Sequence, residues 1–365
     1  MENSENSSIR KKHAGAPEET PFLLLPAGKK TKLLLRDLVF VLLVALLFAG
    51  LSLVLDLKGK ENENYSAVAT YGGFYGEEKN SMDVLFLGSS NAYCAFSPAE
   101  LEKRTGLVSW NLASSQQSLF TSYYWLREAL CYQKPKAVVL DAYYLYFTLG
   151  NEGSVHKAFD FMRPSAVKRQ AVSHLVRMKP DTYNKQDLYF PLLRYHERWK
   201  EITPAEAFGE DSFASLLGKT ENRGYCPRDE VIGDSPYAPL EADGSVRYTS
   251  LETDDGKPYE MMQTGQITAL SKYYFEKIAA LCEENGITLF LVKTPISWWS
   301  EPMHDSAQNL AAANNVPFLD LNERSAIEAM DYVYQEDAAD HLHANTEGAK
   351  KITNYLATIL KSAVD

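Results

Sequence analysis

The chain has 365 residues and a formal net charge of −11, with 45% hydrophobic and 23% charged residues. That balance suits one large globular domain or two small ones, and it excludes a wholly disordered chain, a collagen-like repeat and a multi-span membrane protein. The acidic excess also argues against a nucleic-acid partner, whose phosphates call for Lys and Arg.

Residues 1–36 are polar in their first stretch, contain Pro and Ser, and carry seven basic against four acidic side chains, a charge of +3 that leaves −14 for the rest. They read as a disordered cytoplasmic tail. From Leu38 to Leu55 no residue is charged. At ~1.5 Å per residue the run spans ~27 Å, about a hydrocarbon core. It is longer than a signal-peptide apolar region and starts far from Met1, so residues 37–57 read as an uncleaved transmembrane signal anchor, with a cleaved signal as the alternative. Arg10, Lys11, Lys12, Lys29, Lys30, Lys32 and Arg36 precede it, whereas Lys58 and Lys60 after it are mixed with Asp56, Glu61 and Glu63. The positive-inside rule then leaves the N-terminus in the cytoplasm and residues 58–365 outside, in a single-pass cell-membrane protein.

Past the anchor, short apolar runs alternate with amphipathic stretches. Asp83–Leu87 reads as a buried strand ending in Gly88-Ser89-Ser90-Asn91. Pro98–Arg104 reads as a short helix with Ser97 as N-cap and Pro98 at its first position. Leu107–Trp110 and Lys136–Leu140 read as strands, with a helix over Ser118–Tyr132 between them. Asp141 is expected to finish its strand and hydrogen-bond a loop. Between about 148 and 262 the rhythm fails, and Asn222–Gly256 is strand-poor, so this stretch reads as a long insertion. The rhythm resumes with a helix over Ile267–Asn285, a strand over Ile287–Val292, a helix over Asp305–Asn314, a strand over Val316–Leu321 and a closing helix over Thr346–Lys361. Such alternation predicts an α/β domain with a mostly parallel sheet covered on both faces. Cys94, Cys131, Cys226 and Cys282 fit no zinc spacing. An extracellular domain permits their oxidation, and four buried free thiols are equally compatible with a chain this long.

Three segments fall at carboxyl ends of strands or just before the last helix, where parallel sheets bind ligands. They are Gly88-Ser89-Ser90-Asn91, Asn111-Leu112-Ala113-Ser114-Ser115-Gln116 and Asp340-His341-Leu342-His343. They supply Ser, Asp and His in the order nucleophile, orienter, base. A serine hydroxyl needs an imidazole to accept its proton, and the imidazole needs a carboxylate to hold its tautomer. Ser90 reads alternatively as a helix cap, with Ser89 as the fallback nucleophile. His343 reads alternatively as a packing residue, Asp340 as an N-cap, and His341 as exposed or as support for the turn. No third ligand cluster accompanies His341, His343 and Asp340, so no metal is expected.

In these motifs the chain resembles the SGNH/GDSL hydrolase superfamily, over residues 80–147 and 264–362. Ser90 stands where that family carries its nucleophile, and Asp340 and His343 match its closing Asp-x-x-His block. Gly88-Ser89-Ser90 in place of Gly-Asp-Ser is similar to the membrane-anchored cell-envelope branch, which includes proteins of teichoic acid D-alanylation and polysaccharide O-acetylation. The resemblance implies a flavodoxin-like three-layer sandwich and a serine esterase or O-acyltransferase, working without a cofactor through an acyl-serine intermediate. It further implies a cell-envelope polysaccharide or teichoic acid as substrate, acetyl as the first candidate group, and a membrane-bound O-acyltransferase (MBOAT) as partner. The alternative is a non-catalytic polymer- or carrier-binding partner of such an MBOAT enzyme. Two features depart from the family. The loop Asn111–Gln117 has no Gly, and Asp141-Ala142-Tyr143-Tyr144-Leu145 has no Asn. The oxyanion site then rests on the Ser90 and Gln116 amides, helped by Asn111, and one missing donor costs ~10²–10³ in rate.

The insertion holds Tyr189-Phe190-Pro191 and Arg194-Tyr195-His196-Glu197-Arg198-Trp199. His196, Arg198 and Trp199 suit a sugar- or phosphate-bearing polymer. The same pattern equally suits a surface helix that packs Tyr195 and Trp199 inward. Trp298-Trp299 is open in the same way, as a sugar-stacking platform or a membrane-facing rim.

Overall fold

The structure, a computed structural model, describes residues 27–62, 64–234 and 259–364. Most of the expected N-terminal tail and the second half of the Asn222–Gly256 stretch lie outside the described residues. The chain divides into two compact units, residues 1–50 and 51–365.

Helix α1, Ala27–Leu55, contains the apolar run and begins well before it. Its segment Thr31–Leu55 is long and apolar enough to cross a membrane. Leu38, Phe40 and Leu47 are exposed along it, unlike the side chains of a core helix. The last carbonyls of a helix have no partner within it. Here Lys58 Nζ donates to Val54 O at 2.5 Å, and Arg198 Nη1 donates to Leu55 O at 2.6 Å and Asp56 O at 3.2 Å. Cations at this end also complement the helix dipole.

From Leu51 onward the chain is a mixed α/β unit. Strands β1 (Lys60–Asn62) and β2 (Tyr65–Ser66) form a small antiparallel ribbon. The main sheet contains β3 (Val84–Gly88), β4 (Ser109–Ala113), β5 (Ala137–Asp141), β6 (Thr288–Lys293) and β7 (Phe318–Asp320), all parallel, in the order β4-β3-β5-β6-β7. Alternation along each strand sends neighbours to opposite faces. Leu85, Leu87, Val138, Leu140, Leu289 and Leu291 pack on one face, where helices α4 (Leu119–Ala129), Ala269–Glu284 and Glu301–Ala313 lie. Val84, Phe86, Val139, Phe290 and Val292 pack on the other, under α2 (Ser90–Ala95), α3 (Pro98–Thr105) and the closing helix Thr346–Val364. Strands buried on both faces read as continuous apolar runs, which is what these sequences show.

Most elements form where periodicity and caps put them. Ser97 Oγ accepts the Glu100 N–H and Gly106 ends α3 in the left-handed conformation, while Ser118 caps α4. Three boundaries move for physical reasons. Strand β4 extends through Asn111, read from sequence as loop, because the Asn111 amide finds carbonyls at Ala92 and Phe96 and so tolerates full burial. The helix Glu301–Ala313 starts four residues early, since Pro302 sits in its first turn, where a missing N–H costs nothing. The edge strand β7 is trimmed next to Pro317, which has no N–H to donate.

Between β5 and β6 the described residues form helices and turns but no strand, chiefly Glu152–Asp160, Ala166–Met178 and the short helices through Phe213–Leu217. Cys94, Cys226 and Cys282 are buried, reduced thiols and Cys131 is exposed, so of the two alternatives the reduced state is the one present, with one thiol outside the core. The closing helix buries Ile352, Leu356 and Leu360, one turn apart. Leu356→Ala is expected to lower unfolding stability by about 2–5 kcal/mol through lost burial and a residual cavity, measured by urea titration of the full chain in detergent.

Candidate active site

Strand β3 ends at Gly88, whose φ is +149°. A Cβ there would lie 2.5 Å from Asp141 Cβ and 3.0 Å from Ala92 Cβ, so only glycine lets β3, β5 and α2 meet. The next residue, Ser89, is the helix cap: its Oγ accepts the Asn91 N–H at 3.4 Å and donates to Asp141 Oδ2 at 2.9 Å. With Ser89 buried and engaged in both directions, it is not a free nucleophile, and the capping role considered for Ser90 belongs to Ser89. Ser90 is the first residue of α2 and half-buried.

Asp340 and His343 come from the turn before the closing helix. Asp340 Oδ1 accepts the N–H groups of Leu342 at 2.8 Å and His343 at 2.9 Å, an Asx turn that folds the chain back on its own carboxylate. His343 Nδ1 then lies 2.9 Å from both Asp340 oxygens. An ionised carboxylate can only accept, so in the neutral ring Nδ1 carries the proton and Nε2 the lone pair. Nε2 lies 2.8 Å from Ser90 Oγ. Residues 253 positions apart thus form a hydroxyl–imidazole–carboxylate line.

Arg228, which no sequence signal distinguished, joins this group. Its Nη1 is 2.9 Å from Asp340 Oδ2 and 3.2 Å from His343 Nδ1, and its other nitrogens hold Glu230 at 3.1 and 3.3 Å. Its backbone carbonyl accepts from Thr346 N and Oγ1, and Cys226 N donates to Tyr93 O, so this segment is tied to both the closing helix and α2. Burial pushes the Asp340 carboxyl up, but the His343 hydrogen bond and charge, the Leu342 N–H and the Arg228 cation together hold it well below the usual range.

Two buried ionisable side chains, Asp141 and Lys293, lie behind the Ser89–Ser90 turn. Burial raises Asp141, while the Lys293 charge and the Ser89 hydroxyl pull it back. Burial lowers Lys293 to about 8, opposed by Asp141 and Asp320. Asp141 finishes β5 and also accepts the Tyr143 N–H at 3.3 Å.

The turn after β4 is built on Gln117, whose buried amide contacts Tyr71 Oη, Ser114 Oγ at 3.2 Å, Leu112 O at 3.0 Å and Ser122 Oγ at 3.0 Å. The turn leaves Gln116 exposed with φ +52°, its side chain accepting the Asn151 N–H at 3.1 Å. Among the described residues no backbone carbonyl takes the Gln116 N–H or the Ser90 N–H, the latter a first-turn donor of α2. Asn111 is different. Its amide donates to Ala92 O at 3.0 Å and Phe96 O at 3.2 Å, so it has no hydrogen left for an oxyanion, which corrects its expected role.

Other expected positions lie elsewhere. The imidazole of His341 packs at a tilt against Trp298 with centroids 4.2 Å apart, and burial lowers its pKa. Trp299 is buried and donates to Asp320 Oδ2 at 2.7 Å, so it is core, not platform. His196, Arg198 and Trp199 do not contact the triad. His196 Nδ1 lies 2.8 Å from Leu193 O, while Arg198 caps α1 and pairs with Glu206. Trp199 is 67% exposed, opposite to the inward packing considered for it. Among the described residues no group of three or more His, Cys, Asp or Glu is arranged to hold a metal.

No protein-family profile and no curated protein matches this chain.

The Asp340 shift has a consequence for stability. Its folded value lies below its ordinary 3.8, so ionised Asp340 favours the folded state above that value and the advantage disappears as pH falls through the folded value. Between about pH 6 and about pH 3 the wild type should lose more Tm than Asp340→Asn, which has no such advantage to lose; equal losses would count against it.

Proposed function

We propose that this protein is an SGNH-type serine acyl transferase or esterase, with a flavodoxin-like three-layer sandwich, acting on a cell-envelope polysaccharide or teichoic acid. The observation that carries the reading is the Ser90 Oγ–His343 Nε2 contact of 2.8 Å with Nδ1 held by Asp340. The sheet order, 2-1-3-4-5 when the parallel strands are counted along the chain, supports it, because that order turns at the first strand and ligands bind at such switch points.

In this mechanism Ser90 Oγ attacks the acyl carbonyl as His343 Nε2 takes its proton. The Ser90 and Gln116 amides face the developing oxyanion. Collapse breaks the ester bond, His343 returns the proton to the leaving alcohol oxygen, and an acyl-Ser90 remains. A sugar hydroxyl or water, deprotonated by His343, then takes the acyl group, the acyl C–Oγ bond breaks, and His343 returns the proton to Ser90 Oγ. Acetyl is the first candidate group, and a membrane-bound O-acyltransferase is the fitting source. The basic flank before the apolar run Leu38–Leu55 supports a domain outside the cell membrane.

One observation favours a second reading, a binding partner with little turnover. The Arg228 cation, 3.2 Å from His343 Nδ1, opposes the positive charge that the imidazole acquires during acyl transfer.

Ser90→Ala, His343→Ala and Asp340→Asn should each cut p-nitrophenyl acetate hydrolysis by the full chain in detergent by about 10³-fold or more, with double variants little worse than singles. Full activity of Ser90→Ala, with no labelling of the wild type by a fluorophosphonate probe, would leave only the binding reading. For topology, protease added to spheroplasts should digest residues beyond about 60 and spare an N-terminal tag; a protected C-terminal domain would reverse the orientation.

A further inference from the structure

Where the apolar span ends, the helical region between β5 and β6 presents aromatic side chains that are largely exposed among the described residues. Arg198 fastens this region to the carbonyls of Leu55 and Asp56, the last turn of α1 and the residue after it. Its neighbour Trp199 is 67% exposed, and Phe208, two residues beyond the Arg198 partner Glu206, is 82% exposed. Phe190 and Leu193, one to two helical turns before Arg198, are also exposed. The same region meets Ser52 and Leu53 around a cleft of about 410 Å³ lined by Tyr189, Pro191, Phe213 and Leu217. Exposed apolar side chains gathered in one region mark an interaction surface, whereas ones scattered singly need no explanation.

We propose that this surface, centred on Trp199 and Phe208, rests in the interfacial layer of the same bilayer that α1 crosses. The choice of a lipid surface over a protein follows from position. Arg198 and Glu206 hold both aromatics beside the residues at which the chain leaves its apolar span, so whatever surrounds the end of that span also meets them. Trp is favoured at the depth where an apolar ring and a polar N–H are both accommodated. Charges close by are of both signs, Lys200 and Glu197 forming a pair at 3.1 Å, so the contact is apolar insertion without need of anionic lipid. Docking of this kind would set the tilt of the α/β unit against the membrane. The inference rests on α1 spanning the bilayer and is independent of any catalytic role.

The test uses the full chain reconstituted in phosphatidylcholine vesicles containing acyl-chain-brominated phosphatidylcholine. The protein has five tryptophans; Trp110, Trp125 and Trp299 are fully buried and Trp298 lies against His341. Bromolipid should therefore remove about a fifth of wild-type emission, chiefly from Trp199. Trp199→Phe should abolish that quenching, and Phe208→Trp in the Trp199→Phe background should restore it. Retention of the chain through alkaline carbonate washing, with quenching equal in wild type and Trp199→Phe, would overturn the docking alone. Release by carbonate would overturn the spanning helix and the docking with it. A surface made for a protein partner would leave Trp199 unquenched in these lipid-only vesicles, which also overturns the proposal.

Discussion

The carboxyl ends of β3 and β5 and the start of α2 converge at Gly88, where even a methyl group would lie 2.5 Å from Asp141 Cβ. Because that space is closed, the chain after β3 has to turn directly into a helix, and Ser89 and Ser90 acquire different roles although they are adjacent and identical. Ser89 faces inward, caps α2 and binds Asp141; Ser90, one residue on, faces His343. A side chain at position 88 would move the turn after β3 as a whole, along with both serines.

The other half of the site depends on a different local device, the Asx turn of Asp340. That carboxylate accepts two backbone N–H groups, one imidazole N–H and a guanidinium N–H. A single group therefore closes the turn, orients His343 and anchors the segment that carries Arg228. The closing helix holds the arrangement in place. Its Thr353 hydroxyl accepts from Ser97 N and donates to Ala95 O, tying it to the end of α2, and its buried Ile352 and Leu356 belong to the same core as α2 residues Ala92 and Cys94. Both halves of the site thus rest on one sheet face, so packing errors there would separate Ser90 from His343 without touching either residue.

The region between β5 and β6 serves a different end of the molecule. Arg198 and Trp199, adjacent in an aromatic and basic stretch, suggest ligand binding when read as a string. In the folded chain the guanidinium is spent on helix carbonyls and Glu206, and the indole faces outward near the end of α1. Composition alone cannot separate these uses, because a cation next to an indole suits a sugar, a helix terminus or a lipid headgroup layer equally well.

Alternation of apolar runs with amphipathic helices, capping residues such as Ser97 and Ser118, and the uncharged stretch Leu38–Leu55 were enough to read the parallel sheet, most of its helices and the candidate span from the sequence alone. These are local properties, set by side-chain period, backbone donors and hydrophobicity over one or two turns. The Asp340–His343 pairing was legible for the same reason, since three residues and an Asx turn suffice to build it. The rest depended on contacts far apart in the chain. Arg228 reaches Asp340 across 112 positions, Asn111 is withdrawn from the site by carbonyls of another element, and Ser89 rather than Ser90 becomes the cap because Asp141 waits at the end of β5. Residue type shows which hydrogen bonds a side chain is able to make, and only tertiary structure decides which partner comes within 3 Å to take them.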